Sequence, residues 1–77
     1  MLVDNVNWVG IPAPGEPLQG FVRIRSRHEE TAAAIRPSGQ GVVVEFAERQ
    51  RAITPGQAAV FYDGDLLLGG GWIARVD

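Results

Sequence analysis

Turn-forming residues recur at short intervals along this 77-residue chain, and their spacing limits what the chain can fold into. Clusters rich in Pro, Gly, Asp and Ser occupy positions 13–17, 36–41, 54–57, 63–65 and 69–71, with β-rich runs between them. The runs leave no room for a helix longer than about two turns. The spacing therefore predicts an all-β fold with six strands: Leu2–Val9, Gly20–Arg27, Thr31–Arg36, Val42–Phe46, Ala58–Tyr62 and Leu66–Val76.

The shortness of the chain decides between the two common all-β architectures. A domain of this size buries only about 60% of the surface that its unfolded chain exposes, so its core is thin. Six short strands do not supply two full sheets packed face to face, whereas a small barrel buries one face of every strand and removes exposed edges. We therefore predict that residues 1–77 form a single, closed or nearly closed β-barrel domain.

Composition excludes several classes of site. The chain contains no cysteine, which rules out disulfides, thiolate nucleophiles, persulfide carriers and cysteine-based metal sites within it. No apolar stretch approaches the roughly 20 residues needed to cross a bilayer, and the N-terminus lacks the order of a signal peptide. We expect a cytoplasmic protein that does not contact membranes.

Two turns can be typed from their residues. In Thr54-Pro55-Gly56-Gln57, proline presets φ at the second position and glycine accepts a positive φ at the third, which is the type II pattern. The Asp63-Gly64 pair predicts a hairpin between Tyr62 and Leu66 with a type I′ turn, which has positive φ at both central residues.

The glycine run Gly69, Gly70 and Gly71 raises the question of a phosphate-binding loop. Nucleotide-binding glycine loops open a helix, and the Walker type also needs Lys and Ser or Thr just before it. Here the glycines lead into residues 72–76, an apolar-rich strand. We predict a bulge or sharp bend at a barrel corner, where any side chain would collide with neighbouring backbone.

Catalytic groups are scarce. His28 is the only histidine, and its neighbours Glu29 and Glu30 do not complete a two-histidine zinc pattern. Asp63 and Asp65 flank a glycine, which is ordinary turn chemistry. We predict no catalytic or metal-ligating residue in this chain, which should be inactive alone.

The strand that contains residues 20–27 has an unusual pattern. Val22 and Ile24 alternate with three arginines, so the apolar pair should face the core while the arginines line the outer face. Such a row suits a phosphate backbone, which arginine can bind bidentately. Equally, the arginines could be the polar outer face of a strand with Glu29, Glu30 or Glu45 as partners. This arginine row consists of Arg23, Arg25 and Arg27, and Arg49 and Arg51 form a second, weaker pair.

Three segments together resemble a known family: "VNWVG", "VRIRSRHEETAAAI" and "FAERQRAITPGQAAVFYDGDLLLGGGWI". They are similar to the C-terminal domain of bacterial tRNA-specific 2-thiouridylases, over about residues 3–76. The strongest element is a TPGQxxVxY block, followed by the glycine run. Ser26 and Trp72 depart from the residues commoner in that family. The block comprises Thr54, Pro55, Gly56, Gln57, Val60 and Tyr62.

The resemblance implies an enzymatic activity whose catalytic parts lie outside this chain. Enzymes of that family use ATP to adenylate the wobble uridine of certain tRNAs, and then transfer sulfur from a cysteine persulfide to make 2-thiouridine. The adenylation needs an N-terminal domain and the sulfur step needs two reactive cysteines. Neither is present here, so this segment would hold no cofactor itself. The implied fold is a translation-factor-like β-barrel that helps to seat tRNA.

Two functions remain open at this point. The barrel could contact tRNA, weakly when alone and through the full enzyme, with Arg23, Arg25, Arg27 and Arg51 as phosphate ligands. Alternatively, it could be a structural or docking module that supports the catalytic domain or receives a sulfur-carrier protein. A weaker third hypothesis is a stand-alone barrel of the translation-factor kind.

Overall fold

The computed structural model describes residues 1–24 and 29–76, and all regular structure in them is β. Period-two alternation of apolar residues produces the strands, and Pro, Gly, Asp and Ser separate them. The strands are β1 (Leu2–Trp8), β2 (Leu18–Ile24), β3 (Thr31–Ser38), β4 (Gly41–Phe46), β5 (Ala58–Asp63) and β6 (Leu66–Arg75).

The six strands close into a barrel in the order β1-β4-β3-β2-β5-β6, with β6 pairing back to β1. Every neighbouring pair is antiparallel. The all-β class, the strand number and the closed barrel expected from the sequence are thereby confirmed. Within the described part of the chain, no helix is long and apolar enough to cross a membrane.

Strand ends differ from expectation by one to two residues where pairing continues into a turn cluster. β2 begins at Leu18, because Leu18 and Gln19 pair with Ile35 and Ala34 of β3. β3 continues through Pro37 to Ser38, which pairs with Gly41, so the loop to β4 is only two residues long. The predicted extension of the second strand over residues 25–27 lies outside the described residues.

The core lies inside the barrel and is made of one face of each strand. β2 shows the alternation clearly, with Val22 and Ile24 buried on either side of the partly exposed Arg23. No polar or charged residue among those described is buried. The largest fully enclosed side chains are Val3, Val22, Ile35, Val44, Phe61 and Ile73.

The glycine run occupies the two seams that β6 makes with β1 and β5. A Cβ atom on Gly69 would stand 2.3 Å from the carbonyl oxygen of Asn7, and one on Gly71 would stand 2.5 Å from that of Asp4. The β1–β6 register shifts between Asp4 and Asn7, at a bulge that contains Asn5. The glycines thus permit close backbone approach beside a bulge, and they do not form a loop around an anion.

The Thr54–Gln57 turn is hydrogen-bonded to β6. Gly56 has a φ of +93°, and the Gln57 amide donates to the Thr54 carbonyl at 3.3 Å. The Gly56 amide donates to the Ile73 carbonyl at 2.8 Å, and the Ile73 amide donates to the Gln57 carbonyl at 2.8 Å. The turn therefore extends the β5–β6 ladder beyond the strand itself.

The hairpin between β5 and β6 forms, but the expected type I′ turn is wrong. Asp63 pairs directly with Leu66, so the central residues are Gly64 and Asp65. Gly64 has a φ of +59°, whereas Asp65 does not have positive φ. A positive φ at the first central position alone, on glycine, is the pattern of a type II′ turn.

Candidate nucleic-acid interface

Arg23 is the member of the arginine row that the structure describes. It lies on the outer face of β2 between buried Val22 and Ile24, and 40% of its side chain is exposed. Strand alternation therefore places this guanidinium where the sequence predicted it. Arg25 and Arg27 lie outside the described residues, as does His28, and the alignment of all three arginines stays a prediction.

Arg23 is held by neighbours on two sides. Its Nη2 lies 3.7 Å from Oε1 of Glu30, and its guanidinium carbon lies 5.5 Å from the centroid of the Tyr62 ring. Its Nε is enclosed and has no hydrogen-bond partner among the described residues. A partly exposed pair of this length contributes little stability, at most about 1 kcal/mol. The ring contact orients the guanidinium, and the weak pair leaves it able to exchange Glu30 for another anion.

Glu45 does not form an ion pair with Arg23, the described member of the arginine row. It accepts a 2.6 Å hydrogen bond from Nη2 of Arg36, across the β3–β4 pair. Both side chains are more than half exposed, so the pair lies in solvent on another part of the barrel wall. Of the three carboxylates considered from the sequence, Glu30 is the one that the structure places against Arg23.

Arg49 and Arg51 belong to the connection between β4 and β5, and both are exposed. Neither forms an ion pair with any residue that the structure describes. Arg49 borders an open groove of about 570 Å³ whose apolar lining includes Phe46 and Ile53. These two arginines are therefore exposed positive charges without an ionic partner in residues 1–24 and 29–76, on a loop that is separate in the chain from β2.

Strand pairing extends the outer face around Arg23 in a way that the sequence does not reveal. Arg23 pairs with Val60 of β5, Val60 with Gly70 of β6, and Gly70 with Asn7 of β1. One row of outward positions therefore runs across four strands. Sequence reasoning missed Asn7 as a neighbour of this surface, because β1 and β2 are not adjacent in the barrel.

Among the described residues, no group of three or more His, Cys, Asp or Glu side chains is placed to hold a metal ion. Asp63 and Asp65 are both exposed at the β5–β6 hairpin. The interior of the described barrel is a packed apolar core.

The described residues define a small, closed, antiparallel β-barrel domain. The chain belongs to the aminomethyltransferase beta-barrel domain family, whose model matches residues 1–73.

Relatives of this chain are much longer proteins. It is 53% identical over 74 residues to the tRNA-specific 2-thiouridylase MnmA of Synechococcus sp. (strain JA-3-3Ab), an alignment that covers 95% of this chain and 20% of that protein. It is 51% identical over 73 residues to the protein of the same name from Solibacter usitatus (strain Ellin6076), covering 90% and 20%. The chain thus spans about one fifth of the length of these relatives, and the resemblance inferred from the sequence is confirmed.

Proposed function

We propose that this barrel is the C-terminal, tRNA-contacting domain of an enzyme that 2-thiolates the wobble uridine of tRNA. The proposal draws on the barrel family and on the naming of the relatives as tRNA-specific 2-thiouridylases. The observation that carries the contact itself is the outward guanidinium of Arg23, which is oriented by Tyr62 and only weakly paired with Glu30.

In this proposal, the chemistry belongs to the rest of the enzyme. ATP would activate the uridine and a cysteine persulfide would supply sulfur on the catalytic domain, because this chain has no cysteine. The barrel contributes phosphate contacts from Arg23, Arg25, Arg27 and Arg51. Phosphate contacts of this kind fix register and orientation on a nucleic acid, without reading its sequence.

A docking role is the second candidate. Phe21, Leu66 and Leu67 are large apolar residues that remain substantially exposed, and Arg23 already has a carboxylate neighbour. A surface of that kind would pack against the enzyme's own catalytic domain or against a sulfur-carrier protein. Packing of apolar surface depends little on salt, whereas phosphate contacts depend on it steeply.

Filter binding of tRNA at several salt concentrations distinguishes the two functions. In the complete enzyme, replacing Arg23, Arg25 and Arg27 with alanine should weaken binding and flatten the salt dependence. The log–log slope should fall by roughly 0.7 to 0.9 for each phosphate that the variant no longer binds. Arg36→Ala, which removes an exposed arginine on the β3–β4 wall, is the matched control and should leave the slope unchanged. Equal slopes for wild type and triple variant would eliminate the phosphate role and favour docking.

A further inference from the structure

A shallow groove lies on the outer surface of the barrel where β6 runs between β1 and β5. Its volume is about 250 Å³. Two consecutive glycines of β6 form part of its lining, and because Gly70 has no side chain at its outward position, the groove is open there. The residues that define this Trp72 groove are Asn5, Asn7, Val60, Gly70, Gly71 and Trp72.

Trp72 is the large aromatic surface of this groove. Half of its surface is exposed, although the next residue, Ile73, is buried in the core. Its cross-strand partners are Ala58 on β5 and the partly buried Asp4 on β1, and the outward position two residues earlier on β6 is Gly70. Ala58 and Gly70 are too small to cover the indole ring, which stays open on the β5 side of β6. An uncovered indole on a rigid strand is a surface on which a flat aromatic ligand can stack.

Two side-chain amides border the same groove. Asn5 and Asn7 are exposed, and neither amide has a hydrogen-bond partner among the described residues. Asn5 has a φ of +49°, in the left-handed region, within the β1 bulge. An asparagine amide offers two donor hydrogens and an acceptor oxygen, which match the polar edges of nucleobases. The bulge therefore places hydrogen-bonding groups next to a stacking surface.

The groove also continues into the surface that contains Arg23. Gly70 in the groove pairs with Val60, and Val60 pairs with Arg23. From strand spacing and rise per residue, the Cα atoms of Trp72 and Arg23 are roughly 12 Å apart. Asp4, the β1 partner of Trp72, is not among the residues that line the groove, and it lies on the side of β6 opposite to Arg23. A nucleotide whose base occupies the groove can therefore place a neighbouring phosphate towards β5 and the arginine, away from the Asp4 carboxylate.

We propose that the Trp72 groove binds one unstacked base of single-stranded RNA, with the base on the indole of Trp72 and its polar edge against Asn5 and Asn7. The inference rests on the proposed function, and it specifies that the Trp72 groove binds a base of the RNA. A protein partner would need roughly 800 Å² of contact surface with an apolar centre. This groove offers Trp72 and Val60 as its only sizeable apolar side chains.

The test uses the 77-residue chain, single-stranded octauridylate, and a duplex of octauridylate with octaadenylate. Octauridylate should quench tryptophan fluorescence and the duplex should quench it much less, because paired bases are not free to stack on a side chain. The quenching should disappear in Trp72→Leu, since the other tryptophan, Trp8, packs against Phe61 at a ring-centroid distance of 5.7 Å.

Affinity measurements complete the test. Trp72→Leu should bind octauridylate about tenfold more weakly, while Trp72→Phe should retain most of the affinity. Val9→Ala changes another exposed apolar residue, outside the groove, and should bind like wild type. The salt slope should be the same in all three variants, because none removes a phosphate contact. Circular dichroism checks that each variant keeps its β-sheet.

The possible failures are distinguishable. Unquenched wild-type fluorescence, equal quenching by duplex and single strand, or full affinity in Trp72→Leu would each overturn the groove proposal. The tRNA-contacting role would survive any of these results if the arginine variants still flatten the salt dependence of tRNA binding. If Trp72→Leu does not fold, the quenching of wild type and the affinity of Trp72→Phe still decide the question.

Discussion

Gly69→Ala should destabilise the barrel, because the new methyl group would collide with the backbone of β1 where β1 and β6 lie close together. The new methyl carbon would stand 2.3 Å from the Asn7 carbonyl oxygen and 3.0 Å from the Trp8 Cα, whereas ordinary contacts begin at 3.4 Å. All of these atoms are backbone, so no side-chain rotation relieves the collision. β1 must move by about 1 Å at its last register pairs with β6, Asn7↔Gly70 and Trp8↔Gly69.

The cost follows from two opposing terms. Overpacking that forces backbone shifts costs about 1–3 kcal/mol, and a collision with a rigid strand belongs at the upper end of that range. Replacing glycine with alanine also restricts the unfolded chain, which returns about 0.4–1 kcal/mol. The net loss of unfolding free energy is then about 2 kcal/mol. For a domain of this size, each 1 kcal/mol shifts Tm by about 4–8 °C, so Tm should fall by about 12 °C.

Thermal unfolding followed by circular dichroism measures this shift. Gly15→Ala is the matched control, because a Cβ there meets nothing within 4 Å and its φ is not positive. Its Tm should stay within about 3 °C of wild type. A Gly69→Ala protein that melts within about 3 °C of wild type would refute the argument that the glycine run exists to permit close strand approach.

Two further changes test other parts of the structure. Gly56→Val should lower the unfolding free energy by more than about 1 kcal/mol, because Gly56 has a φ of +93° and a β-branched residue resists positive φ. The space around Gly56 is open, so the cost comes from the backbone and not from a collision. An unchanged Tm would contradict the turn assignment. A double-mutant cycle on Arg36→Ala and Glu45→Ala should give a coupling in unfolding free energy of about 0.2–1 kcal/mol. This coupling should decrease in high salt, since both side chains are more than half exposed. A larger coupling that does not depend on salt would count against a solvent-screened pair.

The local features of this fold were readable from the sequence because their causes are local. Pro55 and Gly56 prescribe their turn through their own backbone preferences, and Gly56 has the positive φ that such a turn needs. Alternation in β2 determines that Val22 and Ile24 face inward and Arg23 outward, since successive side chains of a strand point to opposite faces. The hairpin after Asp63 was also expected, although its turn type depended on which two residues the register left unpaired.

Which strands meet was decided only by the tertiary structure. Closure joins β6 to β1 and β2 to β5, and these pairings depend on cross-strand contacts that no local pattern encodes. Arg23 lies over Tyr62, 39 positions later in the chain, because β2 pairs with β5. For the same reason Trp72 and the asparagines of β1 share one groove. Backbone propensity and side-chain period act over a few residues, whereas a surface site on a barrel is assembled from residues that become neighbours only when the sheet closes.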